Sequence, residues 1–176
     1  RSASFLNVPR SLGSTLDSLR RAGYTTQVEP ESTLVPLLQR LLRPYYRAGE
    51  LPGLLADGLA ATFPVVRYEA WLQTLPPAVR RELEAQGSPR QGPMIVERDG
   101  APHFVIPRLQ LGQVTILPQP SRAETYGQSA AMREKALYHS SKAPPSHYYL
   151  ATYLWAREAL GADGGNRDRA VSSRGA

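Results

Sequence analysis

The stretch Pro93–Pro120, "PMIVERDGAPHFVIPRLQLGQVTILPQP", is the most strand-like part of this chain. Runs of β-branched and other apolar residues are separated by turn residues, and Asp99-Gly100 lies between the first two runs. An Asp-Gly pair between such runs is a strong signal for a two-residue hairpin, because both residues tolerate positive φ angles. The sequence therefore predicts a strand-rich region over residues 92–118, with strands near 94–98, 102–107 and 113–117.

Helical patterns dominate the sequence before this region. Leucines recur at helical spacing from about Pro9 to Ala22 and again after Pro30, where the pattern ends near Pro44. Three shorter helical stretches follow: "LPGLLADGLAA", "YEAWLQTL" and "PPAVRRELEAQG". We therefore expect a helical insertion over residues 30–87. The predicted fold class is α/β: a mixed sheet with flanking helices and a helical insertion, forming a partial domain of a larger multidomain protein.

A final helix is predicted over residues 146–160, with Ser146 as its N-cap after a double proline. Aromatic residues cover more than one face of this helix: Tyr148, Tyr149, Tyr153 and Trp155. A surface helix needs one apolar stripe, so this breadth indicates contact with a core, a neighbouring domain or a large flat ligand. Core packing is the more common of these explanations. The Gly-, Arg- and Ser-rich residues 164–176 are typical of a disordered or unrelated tail.

Composition excludes several classes of function. The 176 residues include no cysteine, which removes disulfides, thiolate metal sites and cysteine nucleophiles. The net charge is +6, but lysines and arginines are scattered singly or beside acids, which favours solvated faces over a nucleic-acid interface. No apolar run approaches the roughly 18 residues that span a bilayer. We therefore expect a cytoplasmic protein with neither a nucleic-acid nor a membrane partner.

Four polar residues are candidates for chemistry. His147 lies in the first turn of the final helix, where it could bind a metal or accept a proton; the alternative is a histidine bonded to the backbone. His139 lies eight residues earlier, which is not the spacing of a helical zinc pair. Glu124 and Arg122 follow the last predicted strand, where a carboxylate could accept a proton and an arginine could bind a carboxylate. No phosphate-binding glycine motif is present, so any nucleotide would be bound by another polypeptide.

Three motifs occur in a fixed order: "SFLNVPRSL" near the start, "GQVTILPQPSR" in the middle, and "LYHSSKAPPSHYYLATYLWAREALGAD". In this combination, from about residue 4 to residue 163, the chain resembles the large subunit of cobaltochelatase (CobN-type), which is related to the large subunit of magnesium chelatase. The last motif, with its Tyr-His, Pro-Pro and His-Tyr elements, is the most specific of the three. Because the family's large subunits are far longer, we expect residues 1–163 to be a fragment that is inactive alone.

The resemblance implies a chelatase, a ligase that forms nitrogen–metal bonds in cobalamin biosynthesis. It implies Co(II) as the substrate metal, a tetrapyrrole like hydrogenobyrinic acid a,c-diamide, and ATP with Mg on two AAA+-type partner subunits. Placed on the matching segments, it assigns catalytic roles to His139, His147 and Glu124, metal binding to His147 and His139, and substrate binding to Arg122, Tyr149 and Tyr153. The alternatives are a fragment of a magnesium chelatase large subunit, or a non-catalytic module that docks a tetrapyrrole or a partner.

Overall fold

A computed structural model describes residues 7–122 and 144–161. In chain order the described helices are α1 (Val8–Arg21), α2 (Glu31–Leu42), α3 (Leu51–Ala56), α4 (Val65–Gln73), α5 (Pro77–Glu84) and α6 (His147–Ala159). The described strands are β1 (Ala60–Pro64), β2 (Ile95–Arg98), β3 (Ala101–Pro107), β4 (Leu109–Leu111) and β5 (Val114–Ile116). The architecture therefore mixes helices with small sheets, as the α/β prediction requires.

The chain divides into two compact units. Unit 1 comprises Arg1–Ala61 and Pro107–Gln119, and unit 2 comprises Thr62–Ile106 and Pro120–Ala176. No described helix is both long enough and apolar enough to cross a membrane.

The helices of unit 1 follow the leucine pattern of the sequence. Asn7 caps α1, because its side chain accepts a hydrogen bond from the Arg10 amide at 3.0 Å. Leu16 of α1 and both Leu34 and Leu41 of α2 are fully buried. A short 3₁₀ turn follows α2, and a second one precedes α3. The spacing of the leucines thus predicted both helices, although Leu42 at the end of α2 is exposed.

Strands β4 and β5 form an antiparallel hairpin in unit 1. Gly112 lies in its turn with φ of +64°, and a Cβ atom there would lie 2.4 Å from the carbonyl oxygen of Thr25. The Gln113 amide donates to that oxygen at 2.7 Å, and the Gln113 side-chain oxygen accepts from the Thr25 amide at 2.9 Å. These hydrogen bonds join the hairpin to the segment that follows α1. Glycine is required at position 112 because φ is positive there and because a side chain would overlap with Thr25.

The three-stranded sheet has the order β1-β3-β2. Strands β2 and β3 are antiparallel, with Ile95 opposite Phe104 and Arg98 opposite Ala101. Asp99 and Gly100 connect them with φ angles of +53° and +74°, the two positive values of a type I′ turn. The predicted Asp-Gly hairpin is therefore confirmed. Strand β3 contributes the buried run Phe104–Ile106 to the core of unit 2.

Two strands were not predicted. Strand β1 lies within residues 30–87, so the prediction that this interval is entirely helical was wrong for Ala60–Pro64. Gly58, with φ of +69°, lies between the end of α3 and this strand, and pairing with β3 makes the segment extended. Strand β4 was missed because Leu109–Leu111 is too short to show a pattern without its partner. The other predicted helices and strands are present, and the predicted tail at 164–176 lies outside the described residues.

Candidate functional site at the start of the final helix

The site residues predicted from the sequence fall into two groups. His147, Tyr149 and Tyr153 lie on α6, and Arg122 lies at the end of the described segment that precedes it. The main-chain oxygen of Arg122 accepts a hydrogen bond from the Ser146 amide at 2.7 Å, so this segment adjoins the start of α6. The side chain of Arg122 is exposed. Glu124 and His139 lie outside the described residues.

The entrance to α6 is fixed by several hydrogen bonds. Ser146 is fully buried and caps the helix by accepting from the Tyr149 amide at 3.2 Å. The Gln86 side chain, just after α5, donates to the Pro145 carbonyl at 3.0 Å. Ser146 was predicted as the N-cap, and this prediction is confirmed.

His147 makes a hydrogen bond with each of its ring nitrogens. Nδ1 lies 2.8 Å from the Tyr68 hydroxyl, and Nε2 lies 3.1 Å from the Gly87 carbonyl oxygen. Because a carbonyl can only accept, the network assigns the proton to Nε2, and Nδ1 accepts from the Tyr68 O–H. His147 is 5% exposed. This arrangement matches the backbone-bonded alternative, and a metal could reach His147 only if one of these hydrogen bonds broke.

Burial keeps both members of this pair neutral. Burial lowers the pKa of His147, while the Gly87 carbonyl and the charge of Glu84 act in the opposite direction. Burial raises the pKa of the Tyr68 hydroxyl far above its usual value. At neutral pH the imidazole is therefore uncharged and the phenol is protonated, which are the states that the hydrogen bonds need.

Aromatic rings enclose the Tyr68–His147 pair. Tyr68 meets Phe104 and His147 edge to face, at centroid distances of 5.5 Å in both cases, and lies 5.6 Å from the ring of Trp71. The hydroxyl of Tyr148 donates to the Val105 carbonyl at 2.9 Å and so attaches α6 to β3. The start of α6 is thus packed into the core of unit 2.

Little space remains beside His147. A cavity of about 10 Å³ adjoins it, lined by residues that include Gly92, Met94, Phe104 and Tyr148. That volume holds about one water molecule. A macrocycle cannot enter this cavity without rearrangement of its walls.

The outer side of α6 carries a pair of tyrosines. The rings of Tyr149 and Tyr153 lie 4.9 Å apart at an interplanar angle of 51°. Tyr149 is half-buried, whereas Tyr153 is 47% exposed. Helix α6 therefore presents an aromatic surface on its outer side in addition to its buried face. Across residues 7–122 and 144–161, no cluster of three or more His, Cys, Asp or Glu side chains could hold a metal ion.

The sequence matches the CobN/Magnesium Chelatase family over residues 1–164. The chain belongs to this family. It is 30% identical over 159 residues to the aerobic cobaltochelatase subunit CobN of Pseudomonas aeruginosa, a match over 90% of this chain and 12% of that protein. It is 28% identical over 165 residues to an uncharacterized protein of Methanocaldococcus jannaschii, over 92% of this chain and 12% of that protein.

A solved cobaltochelatase structure is also similar to this chain. The catalytic subunit of cobaltochelatase from Mycobacterium tuberculosis superposes with a TM-score of 0.60 at 26% identity, over 86% of this chain and 12% of that one. The chain thus spans about 12% of the length of these relatives. The expected resemblance to cobaltochelatase large subunits is confirmed.

Sequence reasoning missed Tyr68 in this member of the CobN/magnesium chelatase family. Tyr68 is fully buried and lies 79 residues before the histidine to which it donates. It occurs in "YEAWLQTL", a segment that shows only a short helical pattern. A signal was available, because a tyrosine on the apolar face of a helix needs a partner for its hydroxyl. Nothing in the sequence indicates which residue that partner is.

Proposed function

We propose that this chain is part of the macrocycle-binding subunit of an ATP-dependent cobaltochelatase. Its complex would insert Co(II), as the substrate metal, into a corrin precursor of the hydrogenobyrinic acid a,c-diamide type. The observation that carries the proposal is the family match over residues 1–164, which includes the whole of α6. The names of the Pseudomonas relative and the Mycobacterium structure support cobalt over magnesium.

Metal insertion needs groups that accept the pyrrole N–H protons and groups that hold the peripheral carboxylates of the ring. We assign proton acceptance and metal transfer to His139 and Glu124, and carboxylate binding to Arg122. Tyr149 and Tyr153 are assigned contact with the ring face, a role that their shared position on α6 supports. A catalytic or metal-binding role of His147 would require a conformation in which its hydrogen bond to Tyr68 or to Gly87 is broken.

ATP and Mg would be bound by two AAA+-type partner subunits. The chain itself contains neither of the common glycine motifs that hold phosphates. ATP hydrolysis in the partners could then drive the rearrangement that releases His147. This division of labour predicts that the isolated chain inserts no cobalt.

A non-catalytic docking role is the second candidate. It is favoured by the two hydrogen bonds of His147 and by the small cavity beside it. A module of this kind would present the tetrapyrrole or a partner subunit to catalytic groups located elsewhere in the complex.

Titration with the ring distinguishes the two candidates. We would add hydrogenobyrinic acid a,c-diamide to the purified chain and record its visible absorption, then test capture of the AAA+-type subunits on the immobilised chain. A saturable spectral change supports macrocycle binding. Capture of the subunits without a spectral change favours docking of partners. The absence of both results contradicts the two candidates together.

A further inference from the structure

Unit 1 contains an open cleft of about 470 Å³ that is distant in sequence from α6. Its lining residues are Arg40, Arg47, Gly49, Glu50, Gly53 and Leu54. Apart from the adjoining residues and the backbone of the same helix, no described atom lies within 4 Å of the positions that Cβ atoms would occupy at Gly49 and Gly53, so both glycines leave the space before them open. The volume lies within the range of small-molecule sites in proteins.

The charged groups of the cleft differ in their pairing. Arg40 forms an ion pair with Asp57, which compensates its charge and orients its side chain. Arg47 is exposed, and among the described residues no carboxylate lies within ion-pair distance of its guanidinium. Glu50 is half-buried and likewise lacks a cationic partner within the described part of the chain. With respect to the described residues, the cleft therefore offers one guanidinium and one carboxylate without an ion-pair partner.

We propose that this cleft binds an organic carboxylate that carries an N–H donor close to it, such as a neighbouring amide. The guanidinium of Arg47 would bind the carboxylate through two parallel hydrogen bonds. The Glu50 carboxylate would accept from the amide, and the buried side chain of Leu54 would contact the carbon skeleton between them. A phosphate dianion fits less well, because Glu50 and the nearby Asp57 would repel its second charge.

This inference rests on the proposed function for the source of its ligand. A corrin precursor of the a,c-diamide type bears both carboxylates and amides on its periphery, so one edge of the ring could supply both groups. The cleft would then hold that edge of the ring and so restrict how the ring is oriented in unit 1.

The test compares ligands and matched variants of the 176-residue chain. Cobyrinic acid a,c-diamide serves as the ring probe, and cobinamide, whose carboxylates are amidated, is its control. We expect saturable binding of the first and about tenfold weaker binding to Arg47→Gln, the loss that follows from one charge-assisted contact. Arg10→Gln removes the same charge from an exposed position on α1 and should leave the affinity unchanged.

Two small probes separate this inference from the proposed function. Glutaramate has one carboxylate and one amide, and glutarate has two carboxylates. Glutaramate should shift the Arg47 Nε–H resonance saturably, and Glu50→Gln should weaken glutaramate binding but not glutarate binding. If glutaramate binds but the ring does not, the inference that this cleft is a binding site stands, and the proposed function loses its support.

Two outcomes would overturn the inference. The first is ring binding that Arg47→Gln leaves unchanged, or that Arg10→Gln weakens equally; the proposed function would survive this result. The second is the absence of any response to both the ring and glutaramate.

Discussion

The hydroxyl of Tyr68 lies 2.8 Å from Nδ1 of His147, and Nε2 of the same imidazole lies 3.1 Å from the Gly87 carbonyl. One side chain thus joins α4, the segment that follows α5 and the start of α6 inside unit 2. In a family whose members include cobaltochelatase subunits, a histidine in this motif suggests metal chemistry. In this structure both nitrogens of the imidazole are hydrogen-bonded, and the contribution of these bonds to stability and accessibility can be measured.

Replacing Tyr68 with phenylalanine should destabilise the protein. The change leaves the ring packing in place but removes the donor to Nδ1, so a buried acceptor loses its partner. The expected loss is about 1–3 kcal/mol in the free energy of unfolding, measured by urea denaturation. Tyr24→Phe, at a tyrosine that is 55% exposed, is the control and should change stability by less than about 0.5 kcal/mol. Equal stability of both variants would show that the hydrogen bond contributes nothing.

Stability should fall as the pH drops below about 6.5, the usual pKa of histidine. The pKa of His147 is lowered in the folded state, so its stabilising contribution is complete above the unfolded pKa and is lost as the pH falls towards the folded pKa. The slope from this one residue can reach about 1.4 kcal/mol per pH unit. Within residues 7–122 and 144–161, Glu84 and the Tyr68 hydroxyl are the titratable groups that face the imidazole.

The pH dependence is assigned to His147 by comparing two variants. His147→Gln should reduce the slope of unfolding free energy between pH 5 and 6.5, whereas Gly13→Ala, which changes no titratable group, should retain it. A slope that survives in His147→Gln would place the responsible proton elsewhere.

His147 should react slowly with diethyl pyrocarbonate, which modifies an unprotonated and accessible imidazole nitrogen. Both of its nitrogens are bonded and it is 5% exposed, so the reaction requires local opening. His103 is half-buried, its Nδ1 bonds to the Ala101 carbonyl at 3.0 Å, and no hydrogen bond of its Nε2 occurs among the described residues. We expect His147 to react at least about tenfold more slowly than His103, by peptide mass spectrometry. Comparable rates would indicate that His147 is available to a metal.

Gly112→Ala should be strongly destabilising. The new Cβ would lie 2.4 Å from the Thr25 oxygen, and φ is +64° there. Left-handed backbone strain alone costs about 1–2 kcal/mol, and the steric overlap adds to it. Gly13→Ala, inside α1 with no atom within 4 Å of its Cβ position, should stabilise the protein by about 0.5–1 kcal/mol. Thermal unfolding of both variants tests whether the two substitutions change stability in opposite directions. An unchanged stability of Gly112→Ala would contradict the close approach of Gly112 to Thr25.

Patterns of residues that are close together in the sequence predicted much of the fold. The leucine spacing predicted α1 and α2, the Asp99-Gly100 pair predicted the β2–β3 hairpin, and Ser146 predicted the start of α6. Each of these features depends on residues a few positions apart. Their backbone preferences act before any distant contact is made, so a single sequence contains the information.

The remaining elements depend on contacts between residues that are far apart in the sequence. Strand β1 is extended because it pairs with β3, and β4 exists because β5 lies opposite it. The local sequence indicates that His147 begins a helix, and its residue type suits both metal binding and hydrogen bonding. Its surroundings in the structure depend on Tyr68, which lies 79 residues away. The free energy of burying an imidazole depends on partners brought together by folding, and no local pattern specifies them.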